Sequence, residues 1–232
     1  MPKVVDQFAG RLRGKLGDII FRIVHGISIA GRAPLKRPAS QEPKMVAIRI
    51  KFGLANKLGH AVYALPLLSY FWNLFTLPGS TGYKTVMNKV MKKNFAHTTE
   101  SGLTDSAILV PERGITINHT DITLTKSTAT VELDPIGYTD VIDTNVEKTL
   151  VMNMVMCLSD PTGTEDPTFN FIHKTSAEVT LNLVNPLTFS IPMDTMDGDY
   201  FDVYTTKKAF FALVTLDADK NPIRYSSTIH SV

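Results

Sequence analysis

Apolar residues recur at helical spacing over one long stretch of the chain, from Ser40 to Leu77. Steps of three and four residues define two neighbouring stripes. One contains Met45, Ile48, Phe52, Ala55, Gly59 and Val62, and the other contains Leu54, Leu58, Ala61, Leu65, Leu68, Trp72 and Phe75. This spacing predicts a helix with more than one apolar face, which needs more cover than a single sheet surface supplies. We expect Pro66 to kink or split the helix, because proline lacks an N–H and clashes with the preceding turn.

Ahead of this stretch, alternating apolar positions predict a β-hairpin over residues 17–33. Ile19, Phe21 and Ile23 fall on alternate positions of the first strand. Ile27 and Ile29 follow a predicted tight turn at His25-Gly26. A two-stranded hairpin alone is marginal in water, so it pairs either with the sheet of its own domain or with a sheet edge of another chain.

The second half of the chain reads as a short helix followed by strands and polar turns. Residues 85–95 predict the helix, residues 107–117 two short strands, and residues 121–135 a hairpin. Residues 148–163 are apolar on both faces, which is typical of a strand in the middle of a sandwich or beneath a covering helix. Further strands are predicted over TFNFIH, AEVTLNLV and LTFSIP, and Asp217–Pro222 is predicted to be the turn between the last two strands.

These elements predict a mainly β, α+β chain: an immunoglobulin-like β-sandwich preceded by a β-hairpin arm and a long, proline-interrupted helical segment. The expected divisions are residues 1–38 for the arm, 39–98 for the helical segment and 99–232 for the sandwich. The cysteine pair of antibody domains is absent, because Cys157 is the only cysteine of the 232 residues.

Charge divides the chain more sharply than its net value of +2 suggests. Residues 1–51 contain 11 Lys and Arg against 3 Asp and Glu, whereas the remaining residues contain 13 against 19. The first part therefore carries +8 and the rest −6, so that they attract each other within one chain or between copies.

Candidate chemical sites are weak in this sequence. The six histidines are scattered, and no two have the spacing of a helical metal pair. The acidic stretch Asp194–Asp202 does not fit an EF-hand, which leaves a solvated loop or an irregular cation site. No catalytic signature is present, so we expect no enzyme, no cofactor, no metal and no small-molecule substrate.

Four stretches together resemble a family. They are GKLGDIIFRIVHGISIAGRAP (14–34), a helix containing Arg49, Lys51 and Phe52, ILVPERGITI (108–117) and the last thirty residues, VYTTKKAFFALVTLDADKNPIRYSSTIHSV. Their order is similar to a domain-of-unknown-function family widespread in Bacteroidota and some of their phages. That family has an N-terminal G-K-x-G hairpin, an R-x-K-F helix and a C-terminal sandwich. Asn221 and the adjacent Ser226-Ser227 depart from its C-terminal pattern. The resemblance implies one inherited unit and no activity.

Three functions remain open. The first hypothesis is a structural, self-assembling subunit of a filament, tube or virion, whose partners are copies of itself. Its expected subunit interface consists of Ile19, Phe21, Ile23, Ile27, Ile29, Arg11, Arg13 and Arg32. The second hypothesis is a monomeric sandwich that binds a ligand through loops such as Asp160–Asp166 or Asp194–Asp202. The third is a nucleic-acid-associated protein that uses the basic arm, which we favour less than an acidic protein surface as the arm's partner.

The N-terminus contains no apolar region with a small-residue cleavage site, so we expect cytoplasmic synthesis, followed by assembly in a virion or outside the cell. The most apolar run, residues 61–77, contains Pro66 and Asn73 and is short for a membrane span. We therefore expect a buried or interface helix there and no association with a membrane.

Overall fold

The computed structural model describes residues 14–16, 18–24, 27–32, 39–75, 85–111, 114–137 and 142–231. It divides the chain into two compact units, Met1–Glu42 and Pro43–Val232. The first unit contains a small antiparallel sheet in the order β1 (Gly14–Leu16), β2 (Ile19–Val24) and β3 (Ile27–Arg32). The predicted hairpin is present as β2 and β3, and its predicted turn at His25-Gly26 lies outside the described residues.

The second unit begins with the predicted helices. They are α1 (Pro43–Tyr63), α2 (Pro66–Leu74) and α3 (Val86–Asn94), and a 3-10 helix, Phe95–His97, follows α3. Pro66 is the first residue of α2, so the prediction that this proline splits the long helix is confirmed. The Thr85 side chain accepts a hydrogen bond from the backbone N–H of Asn88 and caps α3, as expected of a threonine just before a helix.

Nine strands and a fourth helix complete the described part of this unit. They are β4 (His119–Leu124), β5 (Thr128–Leu133), β6 (Thr149–Pro161), β7 (Phe169–Thr175), β8 (Val179–Thr180), β9 (Leu187–Pro192), α4 (Thr195–Val203), β10 (Tyr204–Leu216), β11 (Pro222–Tyr225) and β12 (Ile229–His230). One sheet has the order β11-β10-β6-β7, with β12 on β10 and β8 on β6, and the other has the order β4-β5-β9. The strand pairs described within these sheets are all antiparallel, so the fold is mixed α+β with antiparallel sheets.

The pair β6 and β10 lies at the centre of the second unit and is buried on both faces. Val151 and Val155 of β6 join Phe210 and Val214 of β10 in a core with the helices. The alternate residues, such as Met154 and Phe211, join β5 and β9 in a second core between the two sheets. The prediction that residues 148–163 form a strand covered on both sides is therefore confirmed, with helices on one face and a sheet on the other.

Residues 107–117 do not form the two short strands that the sequence predicts. In the described part of this stretch, only Ile115 makes an isolated bridge, with Ser226. The backbone groups of Ile108 bond to a side chain instead: Asn94 Nδ2 donates to the Ile108 carbonyl, and the Ile108 N–H donates to Asn94 Oδ1. The Leu109 carbonyl accepts from Trp72 Nε1 at 2.8 Å. A buried segment can satisfy its backbone in this way without a ladder.

The sequence predicted a solvated loop over the acidic stretch Asp194–Asp202. This prediction is wrong, because the stretch forms α4. The Asp194 side chain accepts from the backbone N–H of Asp197, and the Asp197 side chain accepts in return from the backbone N–H of Asp194. This reciprocal capping box satisfies two donors at the helix start. The Lys174 ammonium lies 2.7 Å from Asp194 and 2.8 Å from Asp197 and ties the helix start to β7.

Two glycines of α1 give a matched test of how closely the helices pack. A Cβ at Gly59 would lie 2.6 Å from the Met87 carbonyl oxygen, whereas one at Gly53 would meet nothing within 4 Å. We expect Gly59→Ala to lower the free energy of unfolding by about 1–3 kcal/mol. Gly53→Ala should raise it by about 0.5–1 kcal/mol through helix propensity. Urea unfolding of both variants checks this, and equal stability of the two would contradict the close approach of α1 and α3.

Candidate functional site

The N-terminal sheet carries the residues that the sequence predicts for a subunit interface. Its register pairs Phe21 with Ala30 and Arg22 with Ile29, so Phe21 and Ile29 lie on opposite faces. Ile19 and Arg32 are directly opposite each other and both are exposed. None of the side chains described in this sheet is buried. The predicted apolar set is therefore divided between two faces rather than gathered on one.

The other predicted interface residues are placed only in part. Ile23 and Ile27 belong to β2 and β3 through their backbones. Arg11 and Arg13 lie outside the described residues. No described contact tests any residue of this predicted interface, so the interface stays a prediction.

A polar groove of about 490 Å³ lies where β6 and β10 approach the loop of residues 99–105. Lys208 Nζ donates to Asp105 Oδ1 at 2.7 Å, and the ammonium keeps the pKa of that carboxyl below its usual value. Asp160, at a φ of 57°, accepts from the Thr206 hydroxyl at 2.7 Å. The groove therefore offers hydroxyl groups and two paired charges to a ligand. Asp160 was predicted from the sequence to begin a candidate ligand loop. The loop of residues 99–105 was not predicted, because it reaches the groove only through the fold.

Cys157 lines the same groove but is almost fully buried. Burial raises the pKa of its thiol to about 12. The thiolate is the nucleophilic form of cysteine, so in the folded protein this sulfur is a poor nucleophile at neutral pH. Its side chain belongs instead to the core between the central sheet and the helices.

The raised pKa of Cys157 predicts a loss of stability in alkaline solution. The folded state holds the proton up to about pH 12, whereas the unfolded thiol ionises from about pH 9, the ordinary value for the group. Above pH 9 the unfolded state binds fewer protons, so the free energy of unfolding falls as pH rises. We expect Cys157→Ala to reduce this fall in urea unfolding between pH 8 and pH 10.5. An identical fall in both proteins would contradict the assignment of this pH dependence to the Cys157 thiol.

Histidines from distant parts of the sequence line a second cleft. His119 of β4 and His230 of β12 line it together with Asp134, which accepts from the Thr120 hydroxyl at 2.8 Å. Sequence spacing could not bring these two histidines together, because different sheets hold them. Among the residues that the structure describes, no group of three or more His, Cys, Asp or Glu side chains could hold a metal ion.

The surface of α4 combines acidic and apolar side chains. Met196, Asp199 and Tyr200 are all exposed and follow helical spacing, so they share one face. Lys126, on the β4–β5 turn, pairs with Asp202. Phe201 and Val203 point the other way and pack against the core between the two sheets.

The first half of α1 exposes apolar side chains that were predicted to lie on a stripe with buried residues. Met45, Ile48 and Phe52 were predicted to share a stripe with Ala55, Gly59 and Val62, which are buried. These three are exposed instead, by 43%, 43% and 53% of their surface.

No described helix is long and apolar enough to cross a membrane.

Comparisons with known proteins give little. No family model matches the chain, and no curated protein matches it. One similar solved structure is a beta-glucosidase from Kluyveromyces marxianus in complex with glucose, at 8% identity and a TM-score of 0.24. The match covers 62% of this chain and 17% of that enzyme's chain, so this chain corresponds to a small part of its length.

Proposed function

We propose that this protein is a structural, self-assembling subunit of a filament, tube or virion, joined through its N-terminal sheet. The observation that carries the proposal is that β1–β3 form a compact unit of their own, in which no described side chain is buried. Strands of three and six residues whose described side chains are all at least partly exposed gain little stability alone. Pairing with a neighbouring copy would supply the missing burial.

Strand addition is the mechanism that fits this unit best. β1 and β3 are the two edges of its sheet, and an edge strand presents unpaired N–H and C=O groups to another chain. Exposed Ile19 would supply apolar contact, and exposed Arg22 and Arg32 would meet acidic surface of the next copy. The charge division of the sequence, +8 against −6, favours such an encounter.

The direct test uses the purified full-length chain. Size-exclusion chromatography with light scattering, at low and moderate salt, measures the mass, and negative-stain microscopy of the same fractions shows any regular particle. We expect large regular particles whose formation weakens as salt screens the charges. A monomer at every concentration and at both salt levels would overturn the proposal.

The polar groove at Asp160 supports a second candidate function, a monomeric sandwich that binds a ligand. The groove volume of about 490 Å³ falls in the range of small-molecule sites. Its hydroxyl groups and the Lys208–Asp105 pair would recognise a polar ligand. A monomeric protein whose Lys208→Met variant loses a ligand that the native chain binds would favour this function over assembly. A third candidate, binding of nucleic acid by the basic arm, would show as strongly salt-dependent retention of DNA.

The immunoglobulin-like class of the sandwich is also a proposal. It is supported by two antiparallel sheets that share one core. The helices on the outer face of the larger sheet are an addition to that plan. An experimental structure that shows a different strand connection from the immunoglobulin class would contradict it.

A further inference from the structure

Two helices of the Pro43–Val232 unit carry opposite charge. Residues 43–57 of α1 contain Lys44, Arg49, Lys51 and Lys57 and no acidic residue. Residues 194–203, which are α4 and its cap, contain Asp194, Asp197, Asp199 and Asp202 and no basic residue. The α4 carboxylates are partly neutralised, because Lys174 pairs with Asp194 and Asp197 and Lys126 pairs with Asp202. Four acids and two lysines leave a net charge of −2 there, against +4 on residues 43–57 of α1.

Both segments also expose large apolar side chains. Met45, Ile48 and Phe52 form a stripe along the first half of α1, and exposed Phe95 lies on the 3-10 helix that contacts α1. On α4, Met196 is 66% exposed and Tyr200 is 39% exposed. Apolar side chains surrounded by charges of one sign are typical of an interaction surface.

One charge of each helix opposes its own helix dipole. Cations are unfavourable at the positive N-terminus of a helix and anions at the negative C-terminus. α1 begins with Pro43 and Lys44 and has no acidic residue in its first turn. α4 has Asp202 near its end and no basic residue in its last turn. Lys126 already pairs with Asp202, so contact between the start of α1 and the end of α4 would relieve chiefly the arrangement at Lys44.

We propose that the exposed stripe of α1 in one copy docks onto the Met196–Tyr200 face of α4 in the next copy. The proposal rests on the self-assembly proposed above and adds a second contact to it. Met45, Ile48 and Phe52 meet Met196 and Tyr200, and the α1 cations meet Asp199 and Asp202.

The fold makes this contact directional. α1 packs on one face of the central sheet, whereas α4 packs against the core on the other face. The two surfaces are thus different patches on different sides of one unit. A contact between unlike patches is heterologous, and it produces a ring if its rotation closes and an open filament if it does not.

Charge reversal in the full-length chain tests the contact. Lys44→Glu with Arg49→Glu reverses the α1 surface, and Asp199→Lys with Asp202→Lys reverses the α4 surface. Matched controls with the same changes in charge are Lys92→Glu with Lys93→Glu on α3 and Asp121→Lys with Glu132→Lys on β4 and β5. Far-ultraviolet circular dichroism and thermal melting confirm that each variant is folded.

Each reversed surface alone should raise the concentration needed for assembly by at least about tenfold, because like charges then face each other. The two control variants should need the same concentration for assembly as the native chain. A 1:1 mixture of the two reversed proteins should restore assembly, since every junction then joins opposite charges. The variant with all four changes should assemble for the same reason.

The outcomes separate this contact from the proposed function. If deletion of residues 1–38 abolishes assembly but neither reversal changes it, the α1–α4 contact is wrong and the proposed function stands. If the α1 reversal acts and the α4 reversal does not, another partner covers α1 and the contact is wrong. If the native chain stays monomeric at every concentration, the proposed function and the contact both fail. If the 1:1 mixture does not assemble although both variants are folded, the α1–α4 contact is also wrong.

Discussion

Deletion of residues 1–38 is expected to leave a folded protein that no longer forms large particles. The remaining chain contains the whole Pro43–Val232 unit, with both of its cores. It lacks β1–β3, whose edges would supply the backbone hydrogen bonds to a neighbouring copy. We expect the concentration needed for assembly to rise at least about a hundredfold, which corresponds to about 3 kcal/mol per contact.

Light scattering of the truncated and full-length proteins at matched concentrations measures this effect. Circular dichroism and a cooperative thermal transition confirm that the truncated protein is folded. A matched full-length variant, Arg22→Gln with Arg32→Gln, keeps the strands and removes two exposed charges. We expect it to assemble with a weaker dependence on salt, because fewer charges are then screened. A truncated protein that still assembles would exclude the N-terminal sheet as the main contact.

Replacement of either Phe210 or Phe211 by alanine should destabilise the protein strongly. The two residues are neighbours in β10, both are fully buried, and they point to opposite faces. Phe210 fills the core beneath the helices, and Phe211 fills the core between the sheets. Removal of a buried phenylalanine side chain costs about 3–5 kcal/mol, so each variant should lose that amount from its free energy of unfolding.

Urea unfolding, followed by fluorescence of Trp72, measures both variants in the same assay. Val184→Ala is the control, because Val184 is exposed and should change stability by less than about 0.5 kcal/mol. A small effect at Phe210 alone would mean that the helices contribute little to the stability of the central sheet. Because typical stabilities are only about 5–15 kcal/mol, we expect the double variant to be largely unfolded.

The interface was predicted from residue types alone, and these do not determine how its residues are arranged. Alternation predicted the strands that contain Ile19, Phe21 and Ile29. The register then placed Phe21 and Ile29 on opposite faces. The α1 and α4 surfaces were not predicted, because the sequence shows only that Met45, Ile48 and Phe52 are apolar. Whether another element covers them depends on where α3 and its neighbours pack.

The sequence by itself determined the elements whose signals are local. Period-two spacing predicted β2 and β3, a run that is apolar on both faces predicted β6, and helical spacing predicted α1. Pro66 set the break between α1 and α2. All of these signals act within a few residues. The capping box of α4 is equally local, but the acidic stretch was predicted to be a loop, so this signal was missed.

Only the tertiary structure decided the features that depend on distant partners. It paired β6 with β10, placed His119 and His230 on the lining of one cleft, and gave Ile108 side-chain hydrogen bonds in place of a strand partner. It also buried Ala55 and left Phe52 exposed within one apolar stripe. Whether a side chain is buried depends on which residues pack against it, and those residues are often far away in the sequence.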